Sequence, residues 1–150
     1  MPSPNDQQLA ERMADLTYRL LENCTEKQEY IAEKFALSLS EFRCLRSFQS
    51  DKTLCVKDIA QRMNLTSSRL TRIVDGLVAK KHVTREINPI DRRVMDISLT
   101  PEGIAISRRL NIDYVSIHHQ ILETIPPAVR HSVIKALDEL ALAMASWMKE

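Results

Sequence analysis

The chain has 150 residues, of which 44% are apolar and 27% charged, with only two Gly and 5% aromatic residues. This length suits one domain that needs no cofactor to form a core, and so few glycines favour a mostly α fold over an all-β one. The lack of any long apolar run or secretory leader argues against a membrane protein and predicts a cytoplasmic one.

Apolar spacing and a capping signal predict the first two helices. Between about residues 6 and 35, apolar residues recur every three or four positions, which indicates one long amphipathic helix. Ser38 and Glu41 then have the spacing of a capping box, in which each side chain accepts a hydrogen bond from the other residue's backbone. A second helix should begin after Ser38 and end near Ser50.

The middle of the chain has the outline of a helix-turn-helix. A third helix is predicted from about residue 56 to 63, followed by a short break at Asn64 and Leu65. Thr66 is a suitable N-cap for a fourth helix over residues 67 to about 80. Two short helices joined by a tight turn form this motif.

The fourth helix has two contrasting faces. Five apolar residues follow the spacing of a buried stripe: Leu70, Ile73, Val74, Leu77 and Val78. The opposite face carries hydroxyl and guanidinium groups that suit a DNA major groove, and the candidate contacts are Ser67, Ser68, Arg69, Thr71 and Arg72. An ordinary solvated face is the alternative, and Asp75 fits that as well as it fits a partner that orients Arg72.

A small, charged β-hairpin is predicted in the stretch REINPIDRRVMDISLT, residues 85–100. Its strands should cover about residues 83–87 and 94–99. The loop between them has no Gly, yet carries Asp91 followed by the adjacent Arg92 and Arg93. These three residues, with Arg85 on the first strand, complete the set of candidate DNA contacts.

Two long helices should close the chain. Thr100, Pro101 and Glu102 form a strong helix start, and Pro126-Pro127 should end that fifth helix. The sixth helix is predicted from about residue 128 to 148, again with one apolar stripe. Stripes of this length need a partner surface, which a second subunit can provide.

Charge is unevenly distributed, although the net charge is only +1. Residues 57–93 hold nine basic and four acidic residues, a net charge of +5, against twelve basic and sixteen acidic residues elsewhere, a net charge of −4. A basic middle between acidic flanks suggests contact with a polyanion.

This order of elements resembles the MarR family of bacterial transcription regulators. The residues that carry the resemblance are Asp91-x-Arg93-x-x-x-Ile97-x-Leu99-Thr100-x-x-Gly103, which match the family pattern D-x-R-x-x-x-V-x-L-T-x-x-G, preceded by LTRIVDGLVAKKHVTRE. The family commonly has Gly-Leu where this chain has Lys81-His82, so a Lys would occupy a left-handed position at the helix end. Gly76, within the fourth helix, indicates close approach of a neighbour or of DNA.

The resemblance implies a winged helix-turn-helix within one domain spanning residues 1–150, with the wing-bearing part at about 38–100 and helical dimerisation parts at about 6–35 and 101–149. It implies a homodimer that binds double-stranded DNA at a pseudo-palindromic operator, as a repressor modulated by a small aromatic or anionic effector. In the wing, Asp91 would brace a guanidinium and one of Arg92 and Arg93 would enter the minor groove.

Three alternatives remain at this point. A winged-helix protein-interaction module without DNA binding is one, but the basic middle argues against it. A redox-sensing member of the family would need a reactive thiol among Cys24, Cys44 and Cys55, which all fit structural roles better. An enzyme is not expected, since no catalytic spacing occurs, and the histidines are not placed to bind a metal.

Overall fold

A computed structural model describes Met1 and residues 3–149, so Pro2 and Glu150 lie outside the described residues. Helix α1 spans Pro4–Lys34, close to the predicted limits. Its start is fixed by a capping box, in which the Asp6 N–H donates to Ser3 Oγ over 3.1 Å and the Ser3 N–H donates to Asp6 Oδ2 over 3.3 Å. The helix begins two residues earlier than predicted because this local capping signal was missed.

Three shorter helices follow and confirm the predicted helix-turn-helix. Helix α2 spans Leu39–Ser47 and begins with the predicted box of Ser38 and Glu41, although it ends earlier than expected. Helix α3 spans Val56–Met63, and Asn64 ends it in a left-handed conformation with φ 53°. Helix α4 spans Ser67–Ala79 and is capped by Thr66, whose Oγ1 accepts from the Arg69 N–H over 3.3 Å.

The sheet has three strands, so the prediction of a two-stranded hairpin was incomplete. Strands β2 (Val83–Ile87) and β3 (Met95–Leu99) form the expected hairpin, with Arg85 opposite Ile97. The additional strand, β1 (Thr53–Cys55), pairs antiparallel with the other edge of β3, giving the order β1-β3-β2. A three-residue strand is too short to show alternation, and it forms because β3 offers unpaired backbone groups.

Helix α5 spans Pro101–Glu123 and begins as predicted. The Thr100 Oγ1 accepts from the Gly103 N–H over 2.9 Å, and the same hydroxyl donates to the Lys81 carbonyl over 2.7 Å. A Cβ added to Gly103 would collide with the His82 carbonyl oxygen. Gly103 therefore lets α5 start directly against the chain that leaves α4.

The chain divides into two compact units, Met1–Asn111 and Ile112–Glu150, and the boundary falls within α5. In the first unit, buried apolar side chains come from α1 to α5 and from all three strands, with Phe42, Phe48, Ile59, Leu70 and Ile97 among those almost fully buried. This core encloses the helix-turn-helix and the base of the hairpin.

The second unit holds the rest of α5, a 3-10 turn at Pro127–Val129 and helix α6, Arg130–Trp147. The α-helix starts later than predicted because the residues after Pro126 form the 3-10 turn, which is followed by a bond from Arg130 Nε to the Ile125 carbonyl of 2.9 Å. None of the described residues of α6 is buried. Its large exposed apolar side chains are Ile134, Leu137, Leu142, Met144 and Trp147.

Within the described residues, no helix is both long and apolar enough to cross a bilayer.

Candidate nucleic-acid interface

Helix α4 is held by its apolar side and presents its polar side to solvent. Leu70, Val74 and Leu77 are buried, as the apolar stripe predicts, and Ile73 and Val78 are half-buried. The five candidate contacts on this helix are all exposed: Ser67, Ser68, Arg69, Thr71 and Arg72. The Thr71 hydroxyl donates to the Ser67 carbonyl over 2.9 Å, which leaves its oxygen lone pairs toward the outside for a further donor.

Asp75 does not orient Arg72, which corrects that part of the interpretation of α4. The Asp75 carboxylate instead accepts a hydrogen bond of 2.5 Å from Arg85 on β2. Asp75 and Arg85 therefore join α4 to the first wing strand. Because one of its NH2 groups already donates to Asp75, Arg85 has fewer donors left for DNA than its charge suggests.

The loop between β2 and β3 is built around Asn88. Its side-chain oxygen accepts from the Ile90 N–H over 2.9 Å and from the Asp91 N–H over 3.0 Å, and its amide donates to Asp96 over 2.8 Å. Backbone bonds from Asn88 to Val94 and from Val94 to Asp91, 2.9 and 3.0 Å long, close the loop. An Asn can replace the missing glycine because its short side chain satisfies nearby backbone N–H groups.

At the tip, Asp91 braces Arg93 and not Arg92. Asp91 Oδ1 accepts from the Arg93 backbone N–H over 3.0 Å and from Arg93 Nε over 3.1 Å, and Oδ2 accepts from the guanidinium over 3.3 Å. These bonds to the Arg93 side chain, and then to its backbone, hold the pKa of Asp91 below its usual value. The Arg93 side chain remains 90% exposed, so the brace orients it without covering it.

The nine basic residues of the basic stretch, residues 57–93, divide into those that form salt bridges and those that do not. Four of its basic residues form salt bridges with acids: Arg62 with Asp51, Lys80 with Glu41, Arg85 with Asp75 and Arg93 with Asp91. Within residues 3–149, no salt bridge engages the other five: Lys57, Arg69, Arg72, Lys81 and Arg92. These five residues therefore carry positive charge that no salt bridge within the described residues offsets.

Two cavities show how the candidate residues are grouped. A cavity of about 470 Å³ is lined by Ser67, Thr71, Arg85 and Arg93, together with Cys55, Val56, Lys57, Val74, Val94, Met95 and Ile97. A second one, of about 360 Å³, is lined by Ser68, Arg69 and Arg72, together with Ser40, Leu65 and Ile73. Polar groups thus follow both flanks of α4, one facing the wing and one facing α2, whereas Arg92 lines neither cavity.

Three residues at this surface were missed as candidates. Lys57 lies at the start of α3 beside the wing-side cavity, Ser40 lies at the start of α2 beside the other, and Asn88 shapes the wing tip. The position of a Lys in the first turn of the first helix of a helix-turn-helix is a signal that could have identified Lys57. Ser40 gave no such signal.

The cysteines have different environments. Burial, and secondarily the Glu41 carboxylate, raises the pKa of the Cys44 thiol to about 12, which makes this cysteine a poor nucleophile. Cys55 is half-buried at the N-cap of α3 without a side-chain capping bond, and Cys24 is half-buried on α1. Among the described residues, no group of three or more His, Cys, Asp or Glu side chains is placed to hold a metal ion.

The chain is similar to known transcription regulators. Residues 37–95, which include helices α2 to α4, match the MarR family model. The transcriptional repressor MdtR of Bacillus subtilis is 38% identical over 71 residues, 47% of this chain and 46% of MdtR, so the match spans less than half of that relative. The transcriptional regulator SarZ of Staphylococcus haemolyticus is 27% identical over 105 residues, 70% of this chain and 71% of SarZ.

The solved structure of YusO from Bacillus subtilis is similar over almost the whole chain. It superimposes with a TM-score of 0.71 at 26% sequence identity and covers 95% of this chain and 99% of YusO. MdtR and SarZ are transcriptional regulators and not enzymes, in agreement with the prediction from sequence.

Proposed function

We propose that the chain is a winged helix-turn-helix transcriptional regulator of the MarR family, whose model matches residues 37–95, and that it is a homodimeric repressor of a specific, pseudo-palindromic operator. The observation that carries this proposal is the exposed face of α4, where Ser68, Arg69, Thr71 and Arg72 project beside a wing that ends in Arg92 and Arg93. Hydroxyls and guanidiniums are the groups that contact phosphates and base edges in a major groove. A repressor of this kind would act in the cytoplasm, where it meets DNA.

In the proposed complex, the two basic elements have different tasks. Helix α4 lies in the major groove, and its twin lies about one helical turn away along the duplex. The wing reaches the adjacent minor groove, where negative potential favours a weakly hydrated guanidinium. Arg93 is held by Asp91 and is presented in one orientation. Arg92 is exposed and forms no salt bridge with any described residue, so its guanidinium can meet phosphate.

The dimer is supported by apolar surface that lacks cover within one chain. On α1, Leu9, Met13, Leu16 and Leu20 are exposed although they form the predicted stripe. On α6, Leu137, Met144 and Trp147 are exposed in the same way. Burial of such stripes against a second copy would remove them from water and would set the spacing of the two α4 helices.

Selection of bound sequences from a random DNA pool tests this function directly. We expect an inverted repeat with half-sites about one helical turn apart, since each subunit would read one half-site. The matched control is the Arg69→Ala/Arg72→Ala variant, which should enrich no motif. Enrichment of no sequence by the unaltered protein, at low salt, would favour the protein-interaction alternative.

We also propose that a small anionic effector regulates binding by entering the wing-side cavity. That cavity of about 470 Å³ combines apolar walls, including Val74 and Ile97, with the cationic Lys57, Arg85 and Arg93. An occupant would share these cations with DNA, so that effector and operator would compete.

Benzoate is a suitable probe for this effector proposal, since it is small, aromatic and anionic. It should release the operator at millimolar concentration from the unaltered protein. Val94→Phe, which fills part of the cavity, should keep operator binding and resist benzoate. Equal release from both proteins would contradict this location, and release from neither would remove the effector from the proposal while leaving DNA binding intact.

A further inference from the structure

We propose that Lys80 is a positioning residue, which fastens the end of α4 to α2 through Glu41 and thereby sets how α4 meets the operator. Lys80 belongs to the basic stretch and would otherwise be counted as a contact to DNA phosphate. The inference rests on the proposed DNA binding and assigns a part of that surface. These two side chains, with the Ala36 carbonyl and Gly76, form the Glu41–Lys80 clamp.

Contacts at the Lys80 ammonium group support this assignment. Lys80 Nζ donates to Glu41 Oε2 over 2.5 Å and to the Ala36 carbonyl over 2.7 Å. The Glu41 oxygen that accepts from Lys80 also accepts from the Ser38 N–H over 2.9 Å as part of the capping box of α2. One carboxylate therefore joins the start of α2 to the end of α4, 39 residues later in the chain.

Glu41 is unusual in being buried. Its side chain is only 11% exposed, and among the described residues it is the one charged residue counted as buried. A carboxylate withdrawn from water needs a cation and hydrogen bonds to compensate, and its partner cannot leave without exposing that deficit. The Lys80 side chain is 38% exposed, yet its ammonium group is held by Glu41 and by the Ala36 carbonyl. Its release to neutralise a phosphate would leave the buried Glu41 carboxylate without its cation.

Gly76 provides independent evidence that α4 is fitted to this carboxylate. A Cβ added at Gly76 would collide with Glu41 Oε1, so the helix backbone passes directly against Glu41. A glycine inside a helix is less favourable than an alanine. A Cβ at this position would have to displace the Glu41 carboxylate, so Glu41 is the neighbour whose close approach the sequence suggested without identifying it.

The clamp should affect how well the protein distinguishes its operator from other DNA. Base contacts depend on the register of α4 in the groove, whereas phosphate contacts contribute to binding on any sequence. Loosening the clamp should therefore weaken operator binding more than binding to random DNA. Loss of a phosphate contact would weaken both alike and would also flatten the dependence of affinity on salt.

Two substitutions separate these outcomes. Lys80→Met removes the cation, and Glu41→Gln removes the charge while it keeps the size of the side chain and its capping role. Affinity for the selected operator and for random DNA would be measured over a range of salt concentrations. Lys135→Met serves as the control for removal of a lysine, since Lys135 is 79% exposed on α6, and Arg72→Ala serves as the reference for a DNA contact.

We expect Lys80→Met to lower operator affinity about tenfold, to change random-DNA affinity less than about twofold, and to leave the salt slope unchanged. Glu41→Gln should also weaken operator binding, although removal of a negative charge would by itself strengthen binding to DNA. Lys80→Arg should restore most of the affinity, because a guanidinium also pairs with a carboxylate.

Other results would overturn the proposal. One is that Lys80→Met weakens binding to the operator and to random DNA equally. The slope of log K against log salt would then fall by about one, as expected for Arg72→Ala. Another is unchanged or tighter operator binding by Glu41→Gln. Thermal unfolding confirms that each variant is folded, and if Lys80→Met is not, Glu41→Gln and Lys80→Arg decide. Failure of the unaltered protein to prefer the operator would instead contradict the proposed function.

Discussion

Helices α4 and α6 have the same apolar periodicity but differ in whether their apolar side chains are buried. Helix α4 buries Leu70, Val74 and Leu77 within its own chain, whereas the longer α6 has no buried residue among those described. The polar face of α4 is also fixed by Asp75, which pairs with Arg85 of the wing. The comparison teaches that an amphipathic stripe predicts burial without identifying the partner, which for α4 is the same chain and for α6 is proposed to be a second one.

Removal of α6 should have the largest effect. A chain that ends at residue 127 should be monomeric, and its operator affinity should fall roughly 100-fold or more because two half-sites are no longer linked. Sedimentation velocity and gel-shift titration measure the two quantities. Leu137→Glu in the full chain tests the same surface without truncation, with Lys135→Met as control. A folded monomer that still binds the operator would contradict the role given to α6.

Loss of both wing arginines should have the next largest effect. Arg92→Ala and Arg93→Ala should each weaken operator binding by roughly 1–3 kcal/mol and flatten the slope of log K against log salt. Arg108→Ala, an exposed arginine on α5, is the control. Fluorescence anisotropy at several salt concentrations would measure both. Normal binding by the double variant would remove the wing from the interface.

A smaller effect, which is a gain in stability and not a loss of DNA binding, is expected from a substitution at the end of α4. Lys81 has φ 63°, and its N–H and that of His82 bond back to Val78 and Leu77 over 2.9 Å, so the predicted left-handed position is occupied by Lys. Lys81→Gly should raise the free energy of unfolding by up to about 1 kcal/mol, because Gly adopts this conformation without strain. Urea titration measures it. Lys81→Ala retains the strain and should show no such gain.

The smallest effect concerns the wing tip. Since bonds to Arg93 lower the pKa of Asp91, that carboxylate favours the folded wing above its unfolded pKa and loses this contribution as pH falls through the folded value. Arg93→Ala should raise the pKa of Asp91 toward its ordinary 3.8, whereas Arg92→Ala should not. NMR titration of the carboxyl group distinguishes them. A similar rise in both variants would mean that Arg93 is not the main cause.

Much of the fold could be predicted because its signals are local. Ser38 and Glu41, Thr66 and Thr100 were each identified as caps, and each makes a bond within three or four residues. Apolar spacing likewise identified the buried side of α4. Strand β1 escaped prediction because its three residues are extended only through pairing with β3, more than 40 positions away.

The candidate site was predicted as a set of residues but not as a set of contacts. The sequence alone indicated a basic wing and a polar face on α4, since residue type and helical phase are sufficient for that. How these cations are held was decided by tertiary structure: Arg85 pairs with Asp75, Arg93 with Asp91 and Lys80 with Glu41.

The sequence by itself therefore determined the order of the helices, their caps and the apolar faces, because each depends on groups within about one helical turn. Only the tertiary structure decided that Gly76 accommodates Glu41 and that Lys80 pairs with that carboxylate. Those pairings join residues far apart in the chain. They form only when folding removes a carboxylate from water and brings a distant cation to it.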